Sequence, residues 1–138
     1  MSYPFPSEAW LHALMDVINR DKRYAEVAKN WEGDILFVID PDNDSVETAP
    51  TLFYMDLWHG ACRHATVIDE KVDGLPKATF VLRASRAQFM KILQGQLDAL
   101  QAMLTRRLRV EGNLGYMLRN VPTVLDFVRC CQQVGIQE

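Results

Sequence analysis

The segment at residues 59–64, with the sequence HGACRH, holds the residue types best suited to binding a metal ion. Imidazole nitrogen and thiolate sulfur are both good ligands for zinc. Alternate side chains of a strand share a face, so Cys62 and His64 would point the same way, while His59 would lie beyond a turn. The segment supplies at most three ligands, and no second cluster completes the set. We therefore predict an ordinary strand with surface histidines and no metal site.

A second candidate is the acidic run DPDND at residues 40–44, which places side-chain oxygens at alternate positions, like the start of a calcium-binding loop. The rest of that pattern is missing. Ser45 stands where the loop needs a glycine, and Thr51 stands where it needs a bidentate glutamate. Strands rather than helices are predicted on either side. The run therefore predicts a polar hairpin loop.

The sequence offers no set of residues that matches a catalytic centre. It contains no nucleophile elbow, no glycine-rich phosphate loop and no dinucleotide-binding motif. The thiols of Cys130 and Cys131 would be reactive only in an electropositive setting. Arg129 is near, but a position in the middle of a predicted helix favours buried structural thiols. We therefore predict no catalytic residue, no cofactor and no enzyme.

Length and charge restrict the class of protein further. The chain has 138 residues and a net charge of -3, which indicates a single domain over residues 1–138 and argues against a nucleic-acid partner. Three cysteines, two of them adjacent, make no disulfide framework and favour a cytoplasmic location. No apolar stretch is long enough to span a membrane, and no signal-peptide pattern occurs.

The elements that must position any site follow from hydrophobic periodicity. The uninterrupted apolar run from Ile35 to Ile39 predicts a central strand that is covered on both faces. Further strands are predicted at residues 51–60, 62–69 and 77–84 and around residues 108–110. Helices precede and follow this run of strands. The order predicts an α+β fold, with a five-stranded, mostly antiparallel sheet and helices packed on one face.

The stretch at residues 85–112 organises the second half of the chain. It predicts two short amphipathic helices, capped by Ser85 and Asp98 and hinged at a left-handed Gly95. Neither helix is long enough to be stable alone, so both must lie on the sheet. This half is rich in methionine, leucine and phenylalanine, which suits either a packed core or an apolar ligand pocket. Composition alone favours the packed core.

Read whole, this stretch resembles the sterol carrier protein type 2 family. The matching pattern is Phe89-x-x-Ile92-Leu93-x-Gly95-x-Leu97-Asp98-x-x-x-Ala102-Met103-Leu104, then Leu108-x-Val110-x-Gly112-Asn113, then Leu118. Upstream, the segment from Asp21 through Tyr24 to Trp31 and Gly33 is similar to small, stand-alone bacterial members. One departure is Thr105, where such sequences commonly have a glycine, and threonine disfavours a left-handed turn.

The resemblance implies an apolar tunnel between helices and sheet that holds lipids or fatty acyl groups. Carried over by position, the lining residues are Phe80, Leu82, Phe89, Leu93, Leu100, Met103, Leu104, Val110, Leu125 and Phe127. The function implied is a non-catalytic carrier for a lipid or fatty acyl ligand, with sterols among the candidates. We expect ligand release to require movement of the terminal helix.

Two other readings stay open beside the carrier. One is an accessory or scaffold domain in lipid or quinone metabolism that acts through a protein partner, and the other is an enzyme acting on an apolar substrate. A homodimer and a transient contact with a membrane surface also stay open. The basic cluster of Arg106, Arg107 and Arg109 is predicted to be a solvated helix end, with an anionic membrane surface or ligand head group as its alternative.

Overall fold

The structure is a computed structural model, and it describes residues 2–137. Seven strands and seven helices occur in this part of the chain. In chain order they are β1 (Ser2–Pro4), α1 (Glu8–Arg20), α2 (Lys22–Val27), β2 (Ile35–Asp40), β3 (Thr51–Trp58), β4 (Ala61–Ile68), α3 (Glu70–Asp73), β5 (Phe80–Ser85), α4 (Arg86–Leu93), α5 (Ala99–Leu104), β6 (Arg109–Glu111), α6 (Leu114–Arg119), α7 (Val121–Gln133) and β7 (Gly135–Gln137). None of the described helices is long and apolar enough to cross a bilayer.

The main sheet has five strands in the order β4-β3-β2-β5-β6, with β2 at its centre as predicted. Three of its four strand pairs are antiparallel, and the pair β2–β5 is parallel. The sheet is therefore mixed, which refines the prediction of a mostly antiparallel one. The chain leaves β4 near the Asp40 end of β2 and returns at the Ile35 end, on the side of β2 that β3 leaves free, so β5 runs in the same direction as β2.

The strand β2 separates two apolar layers because its side chains alternate across the sheet. Phe37 and its neighbours Ile35 and Ile39 face the helices and belong to the main core. Leu36 and Val38 face the other side, where they form a small cluster with Leu52. Both faces of β2 are thus covered, as its unbroken apolar run predicts, and the helices lie against the larger core.

Helix ends confirm most of the predicted caps. Ser85 accepts the backbone N–H of Gln88, and Asp98 accepts that of Gln101. Gly95 is left-handed, with φ at 75°. At the end of α5, the left-handed residue is Arg106, with φ at 61°, while Thr105 stays right-handed and its hydroxyl donates to the Gln101 carbonyl. The threonine is therefore accommodated because the turn falls one residue later.

A second, two-stranded sheet was not predicted. The three-residue strands β1 and β7 pair in parallel and bring together residues 2–4 and 135–137. Three residues are too few for a period of two to be visible in a sequence. This pairing joins the segment before α1 to the segment after α7, and it lies outside the main sheet.

Candidate functional site

A cavity of about 90 Å³ lies between the helix-facing side of the sheet and the helices. Side chains from β2, β3 and β5 form its floor, and side chains from every helix except α3 form its walls. Phe37 and Phe127, which both line it, stack with ring centroids 5.9 Å apart. Because so many elements contribute, the cavity runs along the interface between sheet and helices rather than lying inside one element.

Two polar side chains on this cavity are hydrogen-bonded to main-chain carbonyls. The hydroxyl of Thr123 donates to the Val27 carbonyl at 3.2 Å, and the indole N–H of Trp31 donates to the Gly33 carbonyl at 2.9 Å. Trp10 is different: it is only 3% exposed, and its indole nitrogen has no hydrogen-bond partner among the residues that the structure describes. The lining can therefore hold an apolar group while excluding water, with one indole donor left unsatisfied.

Half of the predicted lining residues lie on the cavity. These five are Leu82, Phe89, Leu93, Met103 and Phe127. Three others lie elsewhere in or beside the core: Phe80 is buried against Trp31 and Tyr116, and Leu100 and Val110 are half-buried against the core. Their role in binding stays a prediction.

Leu104 and Leu125 point to solvent, with 66% and 42% of their surfaces exposed. The predicted stripe on α5 placed Leu100, Met103 and Leu104 inward. Met103 is buried as predicted, together with Ala99 and Ala102, whereas Leu104 lies in solvent. A helix of six residues makes fewer than two turns, so its periodicity fits two neighbouring faces about equally well. The predicted set of lining residues favoured the larger leucines over the small Ala99 and Ala102.

The first half of the chain also lines the cavity, although the prediction placed no lining residue there. Trp10 and Leu14 of α1, and Phe53 and Met55 of β3, all face the cavity. The apolar stripe of the first helix and the alternation along β3 could have predicted that these four side chains face inward. Phe5 also lines the cavity, but it precedes α1 in a segment with no periodicity.

The 59–64 segment does not gather its three candidate ligands. The thiol of Cys62 is buried, which raises its pKa to about 11, and its Sγ donates to the His64 carbonyl. His59 lies in the turn after β3, where its Nε2 is 2.6 Å from a carboxylate oxygen of Glu32. The ring of His64 lies near that of Tyr54 instead. These contacts support the predicted strand with surface histidines.

Asp21, Asp126 and Cys130 place their ligand atoms within 4.8 Å of one another, at the contact between α2 and α7. However, Arg129 donates to both carboxylates, at 2.7 Å to Asp21 and 2.8 Å to Asp126. The hydrogen bond from Arg129 lowers the pKa of Asp21, and burial raises the pKa of the Cys130 thiol to about 11. The cluster is thus an ion pair beside a neutral thiol, and it fastens α7 to α2.

Comparison with known proteins supports this arrangement of elements. The model of the SCP-2 sterol transfer family matches residues 13–124. A crystal structure of sterol carrier protein 2 is 28% identical, with a TM-score of 0.83 over 94% of this chain and 98% of that one. A solution structure from Thermus thermophilus, described as a conserved hypothetical protein and possible sterol carrier protein, is 27% identical, with a TM-score of 0.85 over 99% and 94%.

A more distant neighbour is the apo form of sterol carrier protein 2 from Yarrowia lipolytica. It is 20% identical, with a TM-score of 0.61 over 96% of this chain and 97% of that one, and shares the fold. No curated protein sequence matches the chain. The family match covers 112 of the 138 residues, from 13 to 124 inclusive, and so confirms the predicted resemblance. The chain belongs to the SCP-2 sterol transfer family.

Proposed function

We propose that this chain is a non-catalytic carrier that binds a lipid or fatty acyl group between its sheet and its helices. The observation that carries the proposal is the apolar cavity, with aromatic and aliphatic walls drawn from six helices and three strands. Family membership supports the same reading. The proposal takes residues 1–138 as one lipid-binding domain, since lining residues run from Phe5 to Cys131.

The driving force for binding would be burial of hydrocarbon. Each methylene group removed from water contributes about 0.8 kcal/mol, with no requirement for directional bonds. Selectivity should therefore depend on the length and shape of the ligand more than on its head group, and sterols stay among the candidates. The three cysteines are unpaired and buried, which supports the cytoplasmic location that we propose.

Binding a long chain requires the cavity to expand. An engineered cavity of about 150 Å³ in another protein holds one benzene molecule, and the cavity here is about 90 Å³. We propose that α7 moves, because Val124, Phe127, Val128 and Cys131 of this helix line the cavity. Movement of α7 would have to break or carry along its polar contacts with neighbouring elements. These include the ion pairs Arg129–Asp21 and Arg23–Asp126, and hydrogen bonds from Thr123 to the Val27 carbonyl and from Gln132 to the Ile92 carbonyl.

Native mass spectrometry of gently purified protein, followed by titration with tetradecanoate in a calorimeter, tests the proposal. Val128→Trp places a large ring in the cavity, and Leu125→Trp places the same ring on the exposed side of the same helix as a matched control. We expect co-purified lipid and measurable uptake in the wild type and in Leu125→Trp, with uptake abolished in Val128→Trp. A folded wild-type protein without bound lipid and without uptake would refute the carrier and favour a scaffold acting through a protein partner.

A further inference from the structure

The segment before α1 reaches into the cavity. Residues 2–5, which we name the N-terminal arm, run beside β7 and end at Phe5, which is only 5% exposed and lines the cavity. The Phe5 ring packs edge-on to Trp10 with centroids 4.9 Å apart, and lies 6.3 Å from Phe53 and 6.4 Å from Phe89. Its three neighbours belong to α1, β3 and α4, so the ring fills space between helices and sheet.

The arm is attached by the packing of Tyr3 and Phe5 on the core and by polar contacts of its main chain. It pairs with β7 over three residues, Arg86 donates to the Phe5 carbonyl at 3.0 Å, and the Ser7 hydroxyl donates to the Pro4 carbonyl. Two short strands outside a larger sheet have little stability of their own. Such segments open locally without unfolding the domain. The arm can therefore leave while the five-stranded sheet and α1 stay folded.

Resting on the proposed function, we propose that the N-terminal arm is an internal plug, and that Phe5 occupies the part of the cavity that an acyl chain takes on binding. Uptake of ligand then displaces Phe5 and opens the β1–β7 pair. The small size of the remaining cavity follows directly, because the ring already fills part of it. Only Val134 separates α7 from β7, so displacement of the arm also frees the end of α7.

The unsatisfied indole of Trp10 fits the same mechanism. A buried donor without an acceptor makes the closed state less stable than a fully hydrogen-bonded one. Trp10 is in ring contact with Phe5. When Phe5 leaves, the indole N–H is open to an oxygen atom of the incoming molecule, such as a hydroxyl or a carbonyl. Displacement of Phe5 would thus give the ligand both the volume of the Phe5 ring and a hydrogen-bond donor, the Trp10 indole N–H.

The first test is Phe5→Ala in the full chain, with tetradecanoate as the probe. The affinity of a protein whose competent state is partly populated rises when the blocking state is removed. We expect the Kd to fall by about fivefold or more, and association in stopped-flow mixing to become faster. Phe37→Ala is the matched control, because it removes an identical ring from the cavity, while the ring contacts of Phe5 are to Trp10, Phe53 and Phe89. Weaker or unchanged binding by Phe5→Ala, or equal acceleration by Phe37→Ala, would overturn the plug.

Two measurements keep the test decisive if Phe5→Ala folds poorly. In hydrogen exchange on the wild type, tetradecanoate should speed exchange of the Tyr3 and Ile136 amides, which are strand partners. In the double variant Pro4→Cys/Gln137→Cys, whose two positions are also paired, oxidation should slow uptake by about tenfold and reduction should restore it. Protected amides, or equal uptake by both redox forms, would contradict the proposal. Uptake with the arm held in place would overturn the plug alone, whereas no uptake by any variant would refute the carrier as well.

Discussion

The two ends of the central strand β2 are built differently. At the Ile35 end, which we name the tight end, Trp31, Phe80 and Tyr116 pack on one another with ring centroids 5.1 to 5.9 Å apart. At the Asp40 end, which we name the loose end, the arm inserts Phe5 beside Trp10. Both ends are therefore filled by packed aromatic rings. What differs between the two ends is how completely the polar groups are paired and how closely the backbones approach.

Close backbone approach and full pairing mark the tight end. A Cβ atom on Gly33 would lie 2.8 Å from the Phe80 ring, and one on Gly112 would lie 2.7 Å from the Thr79 carbonyl. The Trp31 indole is hydrogen-bonded, and the Tyr116 hydroxyl accepts the backbone N–H of Glu32. The loose end has the unsatisfied Trp10 indole and two strands of three residues. We infer that the molecule yields at the loose end when its cavity expands.

The largest effect is expected from Gly112→Ala at the tight end. Gly112 has φ at 118° and no room for a side chain, so the substitution should cost about 3 kcal/mol of unfolding free energy. Gly95→Ala is the control, because Gly95 also has a positive φ but faces open space, and should cost about 1 kcal/mol. Urea denaturation measures both. Equal losses would show that the tight end is less crowded than the distances indicate.

Replacing Trp31 and Trp10 by phenylalanine, one at a time, should give the next largest difference in unfolding free energy. Trp31→Phe removes a buried hydrogen bond and leaves the Gly33 carbonyl unpaired, whereas Trp10→Phe removes a donor that already lacks an acceptor. The loss of unfolding free energy in Trp31→Phe should exceed that in Trp10→Phe by about 1–2 kcal/mol. Thermal or urea unfolding of the two variants measures the difference. A greater loss in Trp10→Phe would reverse the comparison between the two ends.

A smaller, pH-dependent effect is expected at Asp34, which anchors the tight end. Burial acts to raise the pKa of Asp34, but hydrogen bonds from Tyr54 and Thr79 outweigh it, and the pKa lies below its ordinary value of 3.8. A carboxylate with a lowered folded-state pKa stabilises the protein above the unfolded pKa and loses this effect as the pH falls through the folded pKa. The stability gap between the wild type and Asp34→Asn should therefore be full at pH 6 and narrow towards pH 3.

Urea denaturation across this pH range checks the expectation for Asp34. Tyr54→Phe serves as a control, because it removes one of the hydrogen bonds, at 2.7 Å, and keeps the carboxylate. It should show the same trend with a smaller gap. A gap for Asp34→Asn that stayed constant with pH would mean that the hydrogen bonds do not favour the charged form.

Sequence patterns were sufficient to predict the main strands and helices, because these elements have strong, regular hydrophobic signals. The unbroken apolar run of β2 predicted a central strand, and the caps at Ser85 and Asp98 located two helices correctly. The parallel β2–β5 pair could not be predicted, since strand direction depends on where the chain returns and not on local pattern. The three-residue strands β1 and β7 are too short to leave a pattern at all.

The cavity was predicted less well than the fold, and the reasons are local. In α5, the buried side chains include the small Ala99 and Ala102, which carry little weight in a hydrophobic pattern, while the larger Leu104 lies in solvent. Phe5 precedes the first helix without any periodic neighbour. Its position depends on the pairing of two distant segments, and contacts between distant segments are what a single sequence encodes least directly.

The pairing of β1 with β7 also brings the two ends of the described chain close together. Because the two strands are parallel, residue 137 lies beside residue 4, so a linker from residue 137 to residue 2 must first run back along the small sheet and cannot be a tight turn. New ends could be opened in the polar segment at residues 41–50, which is largely exposed to solvent. In such a permuted protein, β7 and β1 would be close in sequence, and the contact between them would become short-range.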